Sequence, residues 1–124
     1  MSRKFFIFFF SCLFLFIFLP IKLVLADKLL IVEVLIIGDK TDNDFIKIYN
    51  PDNNSIDVSG YKLRKRASTG SEYSVRVFPS GSQIQPREYF LWANSKEDFY
   101  LAIGADASST ATLAVNNSIA LLNP

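Results

Sequence analysis

The sequence of 124 residues contains no histidine and one cysteine, Cys12. Histidine is the usual general base and a common zinc ligand, and cysteine supplies thiol nucleophiles. Because Cys12 lies in an apolar N-terminal segment, the chain after that segment has no thiol and can form no disulfide bond. The sequence also lacks a phosphate-binding loop and a dinucleotide fingerprint. These absences exclude Ser–His–Asp and Cys–His catalysis, so we expect a non-enzymatic protein that needs no cofactor.

Phenylalanine is concentrated near the N-terminus, where eight of the twelve lie within residues 5–18. Arg3 and Lys4 precede this apolar run, and small to medium-sized residues end it. That order is typical of a secretory signal peptide. We therefore predict a signal peptide at residues 1–26 and a secreted or cell-surface protein. An uncleaved membrane anchor over residues 5–25 is the alternative, because a segment of that length can span a bilayer.

The remaining residues, 27–124, have a nearly balanced charge, since 10 Lys and Arg against 12 Asp and Glu give a net charge of −2. Nucleic-acid-binding domains are usually strongly basic, so nucleic acid is not the expected partner. We expect an unknown protein or surface polymer as the partner, with membrane contact only through an uncleaved N-terminal segment. A chain of about 100 residues can bury a stable core without disulfide bonds.

Alternating apolar and polar residues predict several of the strands. From Phe45 to Tyr49, Ile46 and Ile48 alternate with larger or charged side chains. Successive side chains of a strand point to opposite faces, so these two isoleucines are the expected core positions. Turn residues follow at Asn50-Pro51. Similar alternation predicts strands over Tyr61–Arg64 and Tyr73–Val77. Largely apolar runs predict further strands over Leu29–Ile37, Ile56–Val58, Tyr89–Ala93 and Ser118–Leu122.

One short helix is expected before the last strand. The sequence Ser95-Lys96-Glu97-Asp98 resembles a capping box, which predicts a helix over Glu97–Ile103 that Gly104 ends. The polar, low-complexity stretch Ala105–Thr112 is predicted to be a loop. Many short strands with turns about every ten residues and little helix indicate an all-β, antiparallel β-sandwich.

The order of these segments resembles the lamin-tail domain family, an immunoglobulin-like β-sandwich. Five stretches carry the resemblance: Leu30–Val34, Phe45–Pro51, Ile56–Leu63, the passage from Phe78 through Trp92, and Asn116–Leu122. They extend over nearly all of residues 27–124, so the resemblance implies that this whole segment is one sandwich domain.

The resemblance implies a non-catalytic interaction or structural module of the bacterial exported type. Such domains often accompany exported catalytic proteins, so an accessory domain of a larger exported enzyme is the alternative function. The predicted signal peptide disfavours a nuclear scaffold. The family usually continues past the Ser118–Leu122 strand with one further strand, so we expect a C-terminally truncated sequence. The alternative is a sandwich that lacks an edge strand beside Ile119–Leu122.

Acidic residues in two successive loops suggest a calcium site. They are Asp39, Asp42, Asp44 and Asp52. Carboxylate oxygens are the ligands that Ca²⁺ prefers, and neighbouring loops of a sandwich can bring them together. The alternative is that aspartate is present because it forms turns.

Basic residues cluster on one predicted hairpin and suggest an anion-binding surface. They are Lys62, Arg64, Lys65 and Arg66, with Arg76 on the partner strand. Such a cluster can bind phosphate, anionic lipid or an acidic polymer. The alternative is a solvated face whose charges prevent aggregation through a sheet edge.

Overall fold

The computed structural model describes residues 28–36 and 42–124. The predicted signal peptide therefore lies outside the described residues. Within them the strands are β1 Leu30–Leu35, β2 Phe45–Tyr49, β3 Ile56–Asp57, β4 Lys62–Arg66, β5 Glu72–Val77, β6 Gln83–Ile84, β7 Tyr89–Asn94, β8 Ala107–Ser109 and β9 Ser118–Leu122. A 3₁₀ turn, Lys96–Asp98, leads into the short helix α1, Phe99–Ala102. Over these ranges no helix is both long enough and apolar enough to cross a membrane.

The strands form two main sheets and one small one. The first sheet has the order β1-β2-β7-β8, the second has the order β5-β4-β9, and β3 pairs with β6. All pairs are antiparallel except β7 with β8. This arrangement confirms the prediction of an all-β, immunoglobulin-like antiparallel sandwich.

The hydrophobic core lies between the two main sheets, on the side of β2 that its alternating apolar and polar residues predict. Ile46 and Ile48 are both fully buried, as predicted, and Ile46 stands opposite Trp92 on β7. From the second sheet, Leu63 and Val75 pack into the same cluster. Each fully buried side chain of this size contributes about 1.5–3 kcal/mol to folding. The core therefore joins residues far apart in sequence into one unit without a disulfide bond.

The predicted loop Ala105–Thr112 is wrong in its centre, because it contains β8. Ala107 stands opposite Trp92 in a parallel pairing with β7. Next to this strand, the N–H of Asp106 donates a 2.9 Å hydrogen bond to the carbonyl oxygen of Leu91, and its carboxylate accepts one of 2.7 Å from the N–H of Leu91. The strand consists of alanine and serine and has no apolar periodicity, so its partner on β7 determines its structure.

The predicted helix begins later than expected, and its predicted cap is wrong. The side chain of Ser95 caps nothing, and the Oδ1 of Asn94 instead accepts a 2.8 Å hydrogen bond from the N–H of Lys96. Glu97 and Asp98 have positive φ angles of 53° and 56°, which an α-helix does not contain. The helix therefore starts only at Phe99.

Three polar side chains are fully buried at the ends of the central strands β2 and β7. Asp44 precedes β2, Asn50 follows it, and Asn94 ends β7. The Nδ2 of Asn94 donates a 2.9 Å hydrogen bond to the carbonyl oxygen of Ala111. Buried polar groups are costly unless they are hydrogen-bonded, so these residues fix the loops that they contact.

Candidate functional site

The acidic residues of the calcium hypothesis lie in different environments. Asp39 lies outside the described residues. Asp42 forms an ion pair with Lys96, with 3.1 Å between Oδ1 and Nζ. The fully buried Asp44 accepts a hydrogen bond of 2.6 Å at Oδ2 from the backbone N–H of Leu113. Asp42 and Asp44 therefore both have protein partners.

The fourth acidic residue, Asp52, is at the other end of β2 from Asp44. A five-residue strand is about 17 Å long, which separates the two carboxylates. The Oδ1 of Asp52 accepts hydrogen bonds of 2.6 Å and 3.4 Å from the N–H groups of Asn53 and Asn54. Across residues 28–36 and 42–124, no three His, Cys, Asp or Glu side chains are grouped to hold a metal ion. The structure does not bring Asp44 and Asp52 together, and Asp52 forms a turn.

Three of the five predicted basic residues share one face of the three-stranded sheet. Lys62, Arg64 and Arg66 are alternate residues of β4, so their side chains point to the same side. The intervening Leu63 is fully buried, so that side faces away from the core. Alternate residues lie about 7 Å apart along a strand. The result is an evenly spaced line of three cations, which we call the basic row.

Lys65 and Arg76 are not part of the basic row. Lys65 is on the side of Leu63, where its Nζ donates a hydrogen bond to the carbonyl oxygen of Thr112 and lies 5.4 Å from the ring centroid of Tyr73. Arg76 stands opposite Leu63, next to a register shift between β4 and β5. Its Nε is buried and makes no hydrogen bond to any described residue. The predicted cluster of five is therefore a row of three plus two separate residues.

Neutral residues of β9 border the basic row. Lys62, Arg64 and Arg66 stand opposite Leu122, Ala120 and Ser118. A groove of about 190 Å³ lies beside Arg64 and Arg66 but does not extend to Lys62. Its other lining residues are Lys65, Glu72, Ser118, Ala120 and Leu122. The Oε2 of Glu72 is 3.9 Å from the Nε of Arg64, and that Nε is buried and makes no hydrogen bond to any described residue, although the side chain as a whole is partly exposed. Glu72 stands opposite Arg66, so this face of the sheet holds three cations and one carboxylate, a net formal charge of +2.

A larger cavity of about 540 Å³ lies beside β6 and the start of β7. Its wall includes Val58, Phe78, Ser82, Gln83, Ile84, Gln85, Glu88, Tyr89, Phe90 and Asp106. The carboxylate of Asp106 is already engaged by the N–H of Leu91. The remaining lining offers amides, aromatic rings and one further carboxylate. The sequence analysis missed this cavity because its wall comes from five separated segments.

In the described part of the chain, Asp57 is the one residue whose pKa is clearly shifted. A hydrogen bond from the side chain of Ser59, followed by one from its backbone N–H, lowers the pKa of Asp57 below 3.8. The Ser59 N–H is 2.8 Å from Oδ1. Both residues belong to the turn after β3, so this shift reflects turn formation.

The structure defines the class of immunoglobulin-like β-sandwich domains. The sequence narrows the class further. The model of the Lamin Tail Domain family matches residues 26–124. The chain therefore belongs to the lamin tail domain family, whose immunoglobulin-like fold is non-catalytic, as the resemblance implied. No curated protein matches the chain.

Proposed function

We propose that this protein is an exported, non-catalytic interaction or structural module that acts at the cell surface or outside the cell. The family membership supports a binding or structural role. The order of basic residues, apolar run and small residues over positions 1–26 supports export. The sandwich is then a rigid support that presents a surface to a partner.

The basic row is the observation that carries the interaction role. Lys62, Arg64 and Arg66 form no part of the core, and β4 lies at the centre of its sheet. Three like charges on one sheet face repel one another and weaken folding slightly. Such a surface is complementary in charge to an anionic partner.

The export proposal is tested by mass spectrometry of the protein recovered outside the cytoplasm. Cleavage after residue 26 gives a product that begins at Asp27. The replacement Ala26→Arg removes the small residue that signal peptidase requires and leaves the precursor uncut. Lys28→Gln, just beyond the cut, serves as the matched control and leaves processing unchanged. A product that retains Met1 in the membrane fraction contradicts the proposal and supports the anchor.

A further inference from the structure

We infer that the basic row binds a linear anionic polysaccharide that lies along β4. The inference rests on the proposed role as an exported module and adds the surface and the chemistry of the partner. Lys62, Arg64 and Arg66 present cations at intervals of about 7 Å on one line. A linear polymer with an acidic group on its repeating units meets such a line at several points at once.

Exposed hydroxyl groups lie next to two of the three cations, whereas Lys62 stands between the exposed apolar side chains of Val77 and Leu122. Ser74 stands opposite Arg64 on β5, and Ser118 stands opposite Arg66 on β9. Both serines are exposed, so their hydroxyl groups are accessible to sugar hydroxyls. On β9, the small side chain of Ala120 stands opposite Arg64 and lines the groove beside it. Guanidinium groups bind carboxylate, sulfate or phosphate through two parallel hydrogen bonds, which Lys62 supplements as a point charge.

The same residues disfavour two other anionic polymers. Single-stranded nucleic acid is held by aromatic rings on which its bases stack. The neighbouring ring, Tyr73, stands opposite Lys65 and so belongs to the other side of the sheet. An extended acidic polypeptide binds a sheet most firmly by pairing with a free strand edge, but β4 lies between β5 and β9 and has no free edge. A polysaccharide keeps its hydroxyl groups in water and needs only the side-chain donors.

The test is a titration of the full chain with heparin fragments and with polygalacturonate, at several salt concentrations. The two probes distinguish sulfate from carboxylate recognition. Neutralisation of three charges predicts that the logarithm of the affinity falls with the logarithm of salt with a slope of about −2 to −3. Single-stranded DNA and polyglutamate, as comparison probes, are expected to bind at least several-fold more weakly.

The decisive variants exploit the two faces of β4. Arg64→Gln with Arg66→Gln is expected to lower the affinity on the order of tenfold and to reduce the salt slope by about 2. Lys65→Gln is the matched control, because it removes one positive charge from the same strand, at a position whose Nζ is directed away from the row to the carbonyl oxygen of Thr112. It is expected to leave the affinity unchanged. The fluorescence of Trp92 during urea unfolding shows whether each variant is folded.

Each outcome tests the binding inference independently of the export proposal. If neither polysaccharide binds, the inference is overturned. This holds even where the product begins at Asp27 and the export proposal is correct. An equal loss per charge in Lys65→Gln also overturns it, because net charge rather than the row then determines binding. Tighter binding of DNA or polyglutamate replaces the polysaccharide with another class of partner. Loss confined to the double variant supports the inference.

Discussion

Asn50 allows one test of how polar side chains hold this fold, through the replacement Asn50→Asp. Its buried Nδ2 donates to the backbone carbonyl oxygens of Asn54, Ile84 and Gln85 at 2.8, 2.9 and 3.1 Å. Its Oδ1 accepts a 2.9 Å hydrogen bond from the N–H of Asp52. Aspartate keeps the shape and the acceptor, but it turns a second oxygen toward three carbonyl oxygens. The replacement therefore removes the NH₂ donor and places an ionisable oxygen in its position.

The expected cost follows from these contacts. The NH₂ group has two hydrogens for three acceptors, so its loss costs about 2–3 kcal/mol, and an ionised carboxylate facing carbonyl oxygens raises the total to about 3–5 kcal/mol. Burial favours the neutral acid, so the pKa of the new carboxyl group rises above its unfolded value of about 3.9. An acid with a raised folded pKa loses stability as the pH rises through the unfolded value. The cost of Asn50→Asp is therefore smaller near pH 4 than at pH 7.

Urea unfolding at pH 4 and pH 7 measures this cost, with fluorescence of Trp92 as the probe. That residue is the only tryptophan and is fully buried. The matched control is Asn53→Asp, whose exposed oxygen already accepts hydrogen bonds of 3.2 Å and 2.9 Å from Arg87. Its free energy of unfolding is expected to stay within about 0.5 kcal/mol of the original. An equally small change for Asn50→Asp, or one independent of pH, refutes the reasoning.

Three further predictions concern local geometry and use the same unfolding assay. Gly60→Ala is expected to cost about 2 kcal/mol, because φ is +75° and an added Cβ meets Pro124 Cγ at 3.3 Å, whereas Gly81→Ala, with φ of +82° and open space, costs about 1 kcal/mol. Equal costs would show that the close contact is unimportant. Ser109→Ala is expected to cost about 2 kcal/mol and to shift the tryptophan emission, because its hydroxyl accepts from the indole N–H at 3.1 Å and donates to a carbonyl of β5 at 2.8 Å; an unchanged spectrum would contradict this. Asp57→Asn is expected to flatten the stability profile at low pH, because the contribution of an acid with a lowered pKa is present above its unfolded value of 3.8 and is lost as the pH falls through the folded value. Parallel profiles of the two proteins between pH 5 and pH 2 would exclude that contribution.

The sequence predicted most strands because their residues alternate with a period of two or form short, largely apolar runs. Phe45–Tyr49 and Ser118–Leu122 match β2 and β9 at both ends. The alternation of β4 also separates the basic residues onto two faces of the sheet. Lys62 and Arg64 are two positions apart and share a face, whereas Lys65 points to the other face. The sequence analysis treated that cluster as one patch, although the period-two rule already separates its faces.

Long-range polar contacts could not be predicted from local sequence. Aspartate and asparagine are common in loops and turns, so Asp44 and Asn50 were interpreted as loop or turn residues. The structure buries both completely. The partner of Asp44 is the N–H of Leu113, and that of Asn50 includes the carbonyl oxygen of Ile84. These partners are 69 and 34 residues away, so no pattern within a short window identifies them.

The two main sheets differ in how their strands are anchored. Buried polar side chains fix both ends of β2, with Asp44 on one side and Asn50 on the other. The strand β9 pairs only with β4 in the described part of the chain, and no buried polar side chain lies at either of its ends. Local stability follows buried contacts and hydrogen bonds, so amides of β9 should exchange with solvent faster than those of β2. A polymer bound along the neighbouring β4 would then add contacts to the less anchored sheet. Slower hydrogen exchange in β9 on addition of heparin, with β2 unchanged, is the expected result, and a change confined to β2 would contradict binding at the basic row.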